Sequence, residues 1–379
     1  MAFLDTPENV QLKRFRRRLR SKEKLRRRNR LKHASPYTNT GSRRRFRGNN
    51  FKGDYLDIVV PETLNLVHMH AETVAFIQSF WHSVRSSKNR IRLIFDDTKS
   101  IQPAALLLLL AYIDRARILY GTAHVTGTYP KSPRLHRALV DTGFFSLLRV
   151  NPRSPQTRVT NAVRYIPFIS GVTLANDASR KLREALMGEG MQMSIAARKK
   201  LYRAVTEAML NVVQHAYPKE TQFDLRVRKK WWLAGSVNLK EDRLQILFCD
   251  LGVGIPKTLP KLYAWEKIRS ALSILPGVNP NDGQMIEAAM IIGRTKTRQS
   301  ERGRGLNDLR RFVELVSSGE LKVFSASGVY TFQSGGNESI VNYGNSIGGT
   351  LIKWTVPLSS VTNWSPEPDG GLIDENETT

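Results

Sequence analysis

Leu244-Gln-Ile-Leu-Phe-Cys-Asp-Leu-Gly-Val-Gly-Ile-Pro256 is the stretch on which the fold turns. Leu244 to Phe248 has the composition of a strand, and it runs straight into Asp250 and two closely spaced glycines. Gly252 and Gly254 permit a turn that comes close to a flat ligand. Asp250, at the end of the strand, offers a carboxylate able to accept from an exocyclic amine such as adenine N6.

Upstream, the pattern predicts a helix from Ser194 to Ala216. Glu207, Asn211 and His215 are spaced i, i+4 and i+8 and share one stripe, while Leu201, Val205, Ala208 and Val212 form the opposite side. A glutamate there can orient or deprotonate a water or hydroxyl. An asparagine one turn on can give a neutral oxygen to Mg²⁺, which takes few protein ligands and fills its octahedron with water and phosphate oxygens. Downstream, Gly303-Arg304-Gly305-Leu306 is expected to open a helix through Leu309, Phe312, Val313 and Val316, with amides and dipole aimed at a phosphate. The segment 255–302 reads as a lid with helices over Tyr263–Leu275 and Met285–Ile292. Its Lys296, Arg298 and Arg302, with Arg304 beyond, could reach terminal phosphates by charge-assisted bonds. Gly348 to Pro357 is a glycine-led strand that begins at Gly349-Thr350.

Glu207-x₃-Asn211-x₃-His215, Asp250-x-Gly252-x-Gly254, Gly303-x-Gly305-Leu306 and Gly349-Thr350 follow the order of boxes in the GHKL ATPases, and the region 164–358 resembles that superfamily. The resemblance implies a Bergerat-type α/β two-layer sandwich binding ATP and Mg²⁺. It makes Glu207 the general base or water-orienting residue, Asn211 the Mg²⁺ ligand, and Asp250 the adenine reader supported by Thr350. Gly252, Gly254, Gly303 and Gly305 shape the nucleotide loops, and His215 falls where histidine-kinase and anti-sigma relatives often carry one.

The preceding region, 53–150, also reads as α/β. Strands are expected at Tyr55–Val60, Ile91–Phe95 and Ala123–Thr126, and helices at Val67–Val84, Ala104–Leu119 and Leu135–Val140. With Val140-Asp-Thr-Gly-Phe-Phe-Ser-Leu-Leu148, the run from Ile91 resembles a STAS domain. That resemblance implies docking to a protein partner or dimerisation. The family's phosphorylatable serine has no counterpart in the turn Ile101-Gln-Pro-Ala-Ala105.

Composition frames these modules. The 379 residues, at roughly 100–200 per domain, allow two or three folded units. They carry 59 Lys and Arg against 33 Asp and Glu, a formal net charge of +26. Residues 1–52 hold 18 of the cations and 3 of the acids, whereas 359–379 hold 5 acids and no cation. The expected organisation is therefore a disordered basic arm (1–52), the STAS-like domain (53–150), a linker (151–163), the GHKL domain (164–358) and a disordered acidic tail (359–379). The arm's clusters within 13–47 suit nucleic-acid phosphates, with an acidic protein or membrane surface as alternatives. The single cysteine, Cys249, allows no intramolecular disulfide and fits a cytoplasmic protein. The opening residues do not read as a signal peptide, and the longest apolar run, 104–113, is about half a membrane span. Gly-x₄-Gly-Lys-Ser/Thr and His-Glu-x-x-His do not occur, although His68 and His70 fall on the expected first helix.

These readings together describe an ATP-driven conformational switch with slow hydrolysis, in a nucleic-acid-associated stress or phage-response complex. Two alternatives are a Ser/Thr kinase of the anti-sigma type, with Glu207 activating a protein hydroxyl, and a nucleic-acid-binding scaffold with a regulatory nucleotide pocket.

Overall fold

The computed structural model describes residues 55–87, 89–122, 124–152, 163–173, 180, 184, 192–296 and 306–363, with backbone alone for 294–296. The arm at 1–52 and most of the linker at 151–163 lie outside the described residues. So do Arg298, Arg302, Gly303, Arg304, Gly305 and the Lys296 side chain.

The first layer alternates strand and helix. β1 (Tyr55–Val59) leads through β2 (Thr63–Leu64) to α1 (His70–Ser86), β3 (Arg90–Ile94) and β4 (Ser100–Ile101). Then come α2 (Pro103–Tyr120), β5 (Val125–Gly127), α3 (Pro133–Asp141) and α4 (Phe144–Leu147). β1, β3 and β5 form a parallel sheet in that order, with Leu56 opposite Ile91 and Ile91 opposite Val125. Parallel neighbours need long crossovers, and α1 and α2 supply them. His68 precedes α1 rather than lying on it.

The remaining strands build one antiparallel sheet. β6 (Val163–Gly171) precedes α5 (Ile195–Asn211), which Ser194 caps by accepting from Ala197 N at 3.2 Å. α5 runs on as a π-helical turn, Val212–Ala216, before β7 (Trp231–Asn238) and β8 (Arg243–Asp250). Three helices follow: α6 (Ile255–Leu262), α7 (Trp265–Leu272) and α8 (Asp282–Lys296). α9 (Asn307–Arg310), β9 (Glu320–Ser325), β10 (Gly328–Gln333), β11 (Glu338–Asn342), β12 (Thr350–Pro357) and α10 (Leu358–Val361) complete the chain. The strand order is β11-β10-β9-β12-β8-β7-β6.

Period-two alternation sends Leu244, Ile246 and Phe248 of β8 into a core shared with Leu201, Val205, Ala208 and Val212 of α5 and its π turn. The intervening Leu247 and Cys249 are buried as well. α2 covers that second face, contacting β7, β8 and β12 there and β5 of the small sheet. This explains why Ala104 to Ile113 are buried all round, and why every residue of β7 is buried. All the described residues belong to one compact unit. The architecture is mixed α/β, and among the described residues no helix is long and apolar enough to cross a membrane.

Three expectations need correction. The helix expected through Val316 breaks after Arg310 and resumes only as a 3₁₀ turn, Val313–Leu315. Trp354 Nε1 takes the Leu309 carbonyl at 2.8 Å and Ser334 Oγ takes that of Val313 at 2.8 Å, so these acceptors are used by tertiary donors. The 255–302 segment is more helical than expected: α6 precedes the two expected helices, and Leu259, Ile268, Met285, Ala289 and Ile292 give the segment its own small core. Finally, the acidic tail does not begin at 359. Ser359 N bonds Asp242 at 2.8 Å and Thr362 bridges Met193; residues 364–379 lie outside the described residues.

Candidate functional site

A cavity of about 390 Å³ opens between the C-terminal half of α5, the ends of β8 and β12, and the helices α6 and α8. Phe248 and Ile352 give it an apolar floor, with Asp250 and Thr350 beside them. Glu207, Asn211 and His215 form one wall. Gly254, Leu306 and Gly293 also line it. Of the expected site residues within the described parts, only Gly252 stays out. A Cβ at Gly252 would lie 2.2 Å from the Ala216 carbonyl oxygen, and Val253 N donates to that same oxygen at 2.9 Å. Gly252 thus lets the turn after β8 pack onto the end of the α5 π turn through a close approach to the Ala216 backbone.

Asp250 ends β8 directly opposite Thr350 of β12 and Trp231 of β7. It is buried, and burial pushes its carboxyl up to about 7. The Gly252 N–H, at 2.8 Å from Oδ1, and the Thr350 N–H and hydroxyl pull in the opposite direction without cancelling the shift. Thr350 Oγ1 also lies 3.0 Å from Ser325 Oγ, which accepts from Ile255 N at 2.8 Å and donates to Gly349 O at 3.1 Å. One polar chain therefore joins Asp250 to the start of α6. No sequence motif pointed to Ser325.

Burial pushes the Glu207 carboxyl up to about 6, and the charge of Asp308 on α9 adds to the rise. Asp308 is held by Arg311 at 3.2 Å. A hydrogen-bonding interaction with the Asn211 side chain partly offsets the shift, although the buried Nδ2 has no partner at full hydrogen-bond geometry among the described residues. Such an orphaned amide end, one turn from a carboxyl poised near neutrality, fits a site where a polar group enters from the cavity. Among the described residues there is no group of three His, Cys, Asp or Glu able to hold a metal ion. A cation here would thus depend on few protein ligands and on oxygens of the bound molecule, as Mg²⁺ commonly does.

The chain matches no protein-family model, and no curated protein sequence matches it.

Proposed function

We propose that this chain binds Mg-ATP as a GHKL-type protein, with the antiparallel sheet and α5 as a Bergerat-like sandwich and the parallel layer as a STAS-like partner-docking module. What carries this reading is the convergence of Glu207, Asn211, Asp250 and Thr350, drawn from three distant stretches of sequence, on one cavity. Asp250 in its ionised form accepts from the adenine amine, and Thr350 fixes the rotamer of that carboxylate. Phe248 and Ile352 exclude water beneath the base. Mg²⁺, held through Asn211, supplies neutralisation of phosphate charge. Glu207, poised near pH 6, takes the proton of an attacking water or hydroxyl. Charge and the resemblance assign Lys296, Arg298, Arg302, Gly303, Arg304 and Gly305 to the phosphates; the Lys296 side chain and the other five residues lie outside the described residues. The basic arm adds nucleic-acid affinity.

Terminally labelled ATP tests this reading with the full chain. Label released as inorganic phosphate supports the switch ATPase. Label transferred to a protein hydroxyl assigns the kinase reaction, and binding without either product assigns the scaffold. Absence of ATP binding by the wild type removes all three.

A further inference from the structure

Tyr112 and Arg115 lie one turn apart on α2, in the layer behind the antiparallel sheet, yet both reach backbone that presents the adenine-reading pair. Tyr112 donates its hydroxyl to Ile347 O at 3.0 Å. The contact is close: a Cβ on Gly348, whose φ is +71°, would lie 2.4 Å from that hydroxyl oxygen. Two residues further on is Thr350. Burial pushes the Tyr112 hydroxyl up to about 12, so it stays a donor throughout the ordinary pH range. Ile347 N in turn donates to Ala326 O at 2.9 Å, which ties the loop to the β9–β10 turn.

Arg115 acts on the other strand. Its Nη1 donates to Leu251 O at 3.3 Å, immediately after Asp250. The Leu251 N–H goes to Tyr217 Oη at 3.2 Å, so both backbone groups of this residue are held by side chains. The guanidinium carbon sits 4.9 Å from the Trp81 ring centre and 5.8 Å from that of Phe223, cation–π contacts that hold the side chain between the two rings. Phe223 packs edge-on against Tyr217 at 4.9 Å, closing the clamp. Asp114, between the two residues, receives Trp232 Nε1 at 2.9 Å and Lys230 Nζ at 3.2 Å, and so fastens α2 to β7.

We infer that Tyr112 and Arg115 are positioning residues: through Ile347 and Leu251 they set the spacing of Thr350 and Asp250, and they couple the α1–α2 layer to occupancy of the nucleotide pocket. This rests on the nucleotide reading above. A partner that shifts α2 changes the affinity for adenine nucleotide, and by linkage the nucleotide changes the affinity for that partner by the same factor.

The test uses full-length protein as wild type, Tyr112→Phe and Arg115→Lys, titrated with Mg-ATP and with Mg-ITP, which lacks the exocyclic amine. Melting temperatures are recorded alongside. Phenylalanine keeps the ring but leaves Ile347 O without its donor; lysine cannot both hold the cation–π contact with Trp81 and reach Leu251 O. Each variant is expected to lose about three- to tenfold in ATP affinity, the worth of one buried hydrogen bond, with ITP affinity nearly unchanged. Hydrogen exchange should show that Mg-ATP slows 81–120 in the wild type, and less so in Tyr112→Phe. Equal loss of ATP and ITP, tracking melting temperature, overturns the inference in favour of a purely structural role. Unchanged ATP affinity in both variants, or ATP protection confined to α5 and β8, overturns it while leaving the nucleotide reading intact. A wild type that binds neither nucleotide overturns both.

Discussion

Thr350 stands opposite Asp250 across the β8–β12 ladder and gives its carboxylate both a backbone N–H and a hydroxyl. Even so, burial keeps the carboxyl near pH 7, far above the usual 3.8. The pair therefore holds a carboxylate in place without fully stabilising its charge, which leaves a bound hydrogen-bond donor to complete the task.

Binding should accordingly depend on pH. Ionised Asp250 is the accepting form, so ATP affinity should rise between pH 6 and 8, by at most about tenfold per unit, and level off above the pKa. Stability has the opposite sign. Between about 3.8 and 7 the folded carboxyl keeps a proton that the unfolded chain has lost, so this group's contribution declines as pH rises through that window. Paired ATP titrations and denaturant unfolding of wild type and Asp250→Asn check both. The variant should lose Asp250's share of each dependence, while the smaller decline in stability between about 4.5 and 6 that comes from Glu207 remains.

Glu207→Ala should separate binding from turnover. The contacts around Asp250 survive, whereas general-base assistance of about 10²–10⁴-fold is lost. In the wild type the rate should climb through a midpoint near pH 6. Asp308→Asn removes a charge that raises this carboxyl, so the midpoint should move to lower pH. A pH–rate profile of both proteins reads this out.

Gly252→Ala should damage the site although Gly252 itself does not line the cavity, because the clash is with Ala216, which does. A Cβ 2.2 Å from a backbone carbonyl forces the β8 turn away from Ala216. Strain of this kind costs about 1–3 kcal/mol, measurable by urea unfolding, and ATP affinity should fall as Asp250 shifts with the turn.

The arm at 1–52 should provide most of the salt-dependent polyanion affinity. Its 18 cations against 3 acids would give log K a slope against log[salt] of about −0.7 to −0.9 per phosphate contact, and deletion should flatten that slope. Salt titrations with RNA and duplex DNA compare the two proteins. Equal slopes would assign the arm to another partner.

Local pattern made the central strands and helix α5 legible, because Leu244–Phe248 and Leu201–Val212 encode their own burial. Glu207, Asn211, Asp250 and Thr350 stand out by their spacing together with the resemblance of the four boxes, in order, to the GHKL ATPases. Helix α6 escaped notice because Pro256 and Pro260 fall within eight residues, and only its packing through Leu259 onto Ile268 and Met285 makes sense of it. The break after Arg310 depends on Trp354, and Ser325 joins the site through Thr350 and Ile255; neither relationship has a local signature. Likewise, the apolar run of α2 announced a buried helix, but not that it lies between two sheets. The reach of Tyr112 to Ile347 spans 235 residues and no periodicity records it.

Calorimetric titration of Mg-ATP into wild type and Asp250→Asn is the most direct test of the central claim, that the cavity beside Asp250 and Glu207 is an adenine-nucleotide site. The amide replaces an acceptor by a group that can present a donor to the adenine amine. Loss of a hydrogen bond to a charged group, about 1.5–3 kcal/mol, predicts roughly 10–150-fold weaker binding with an intact fold. Unchanged ATP affinity in a folded Asp250→Asn protein, or no binding by the wild type, would contradict the account.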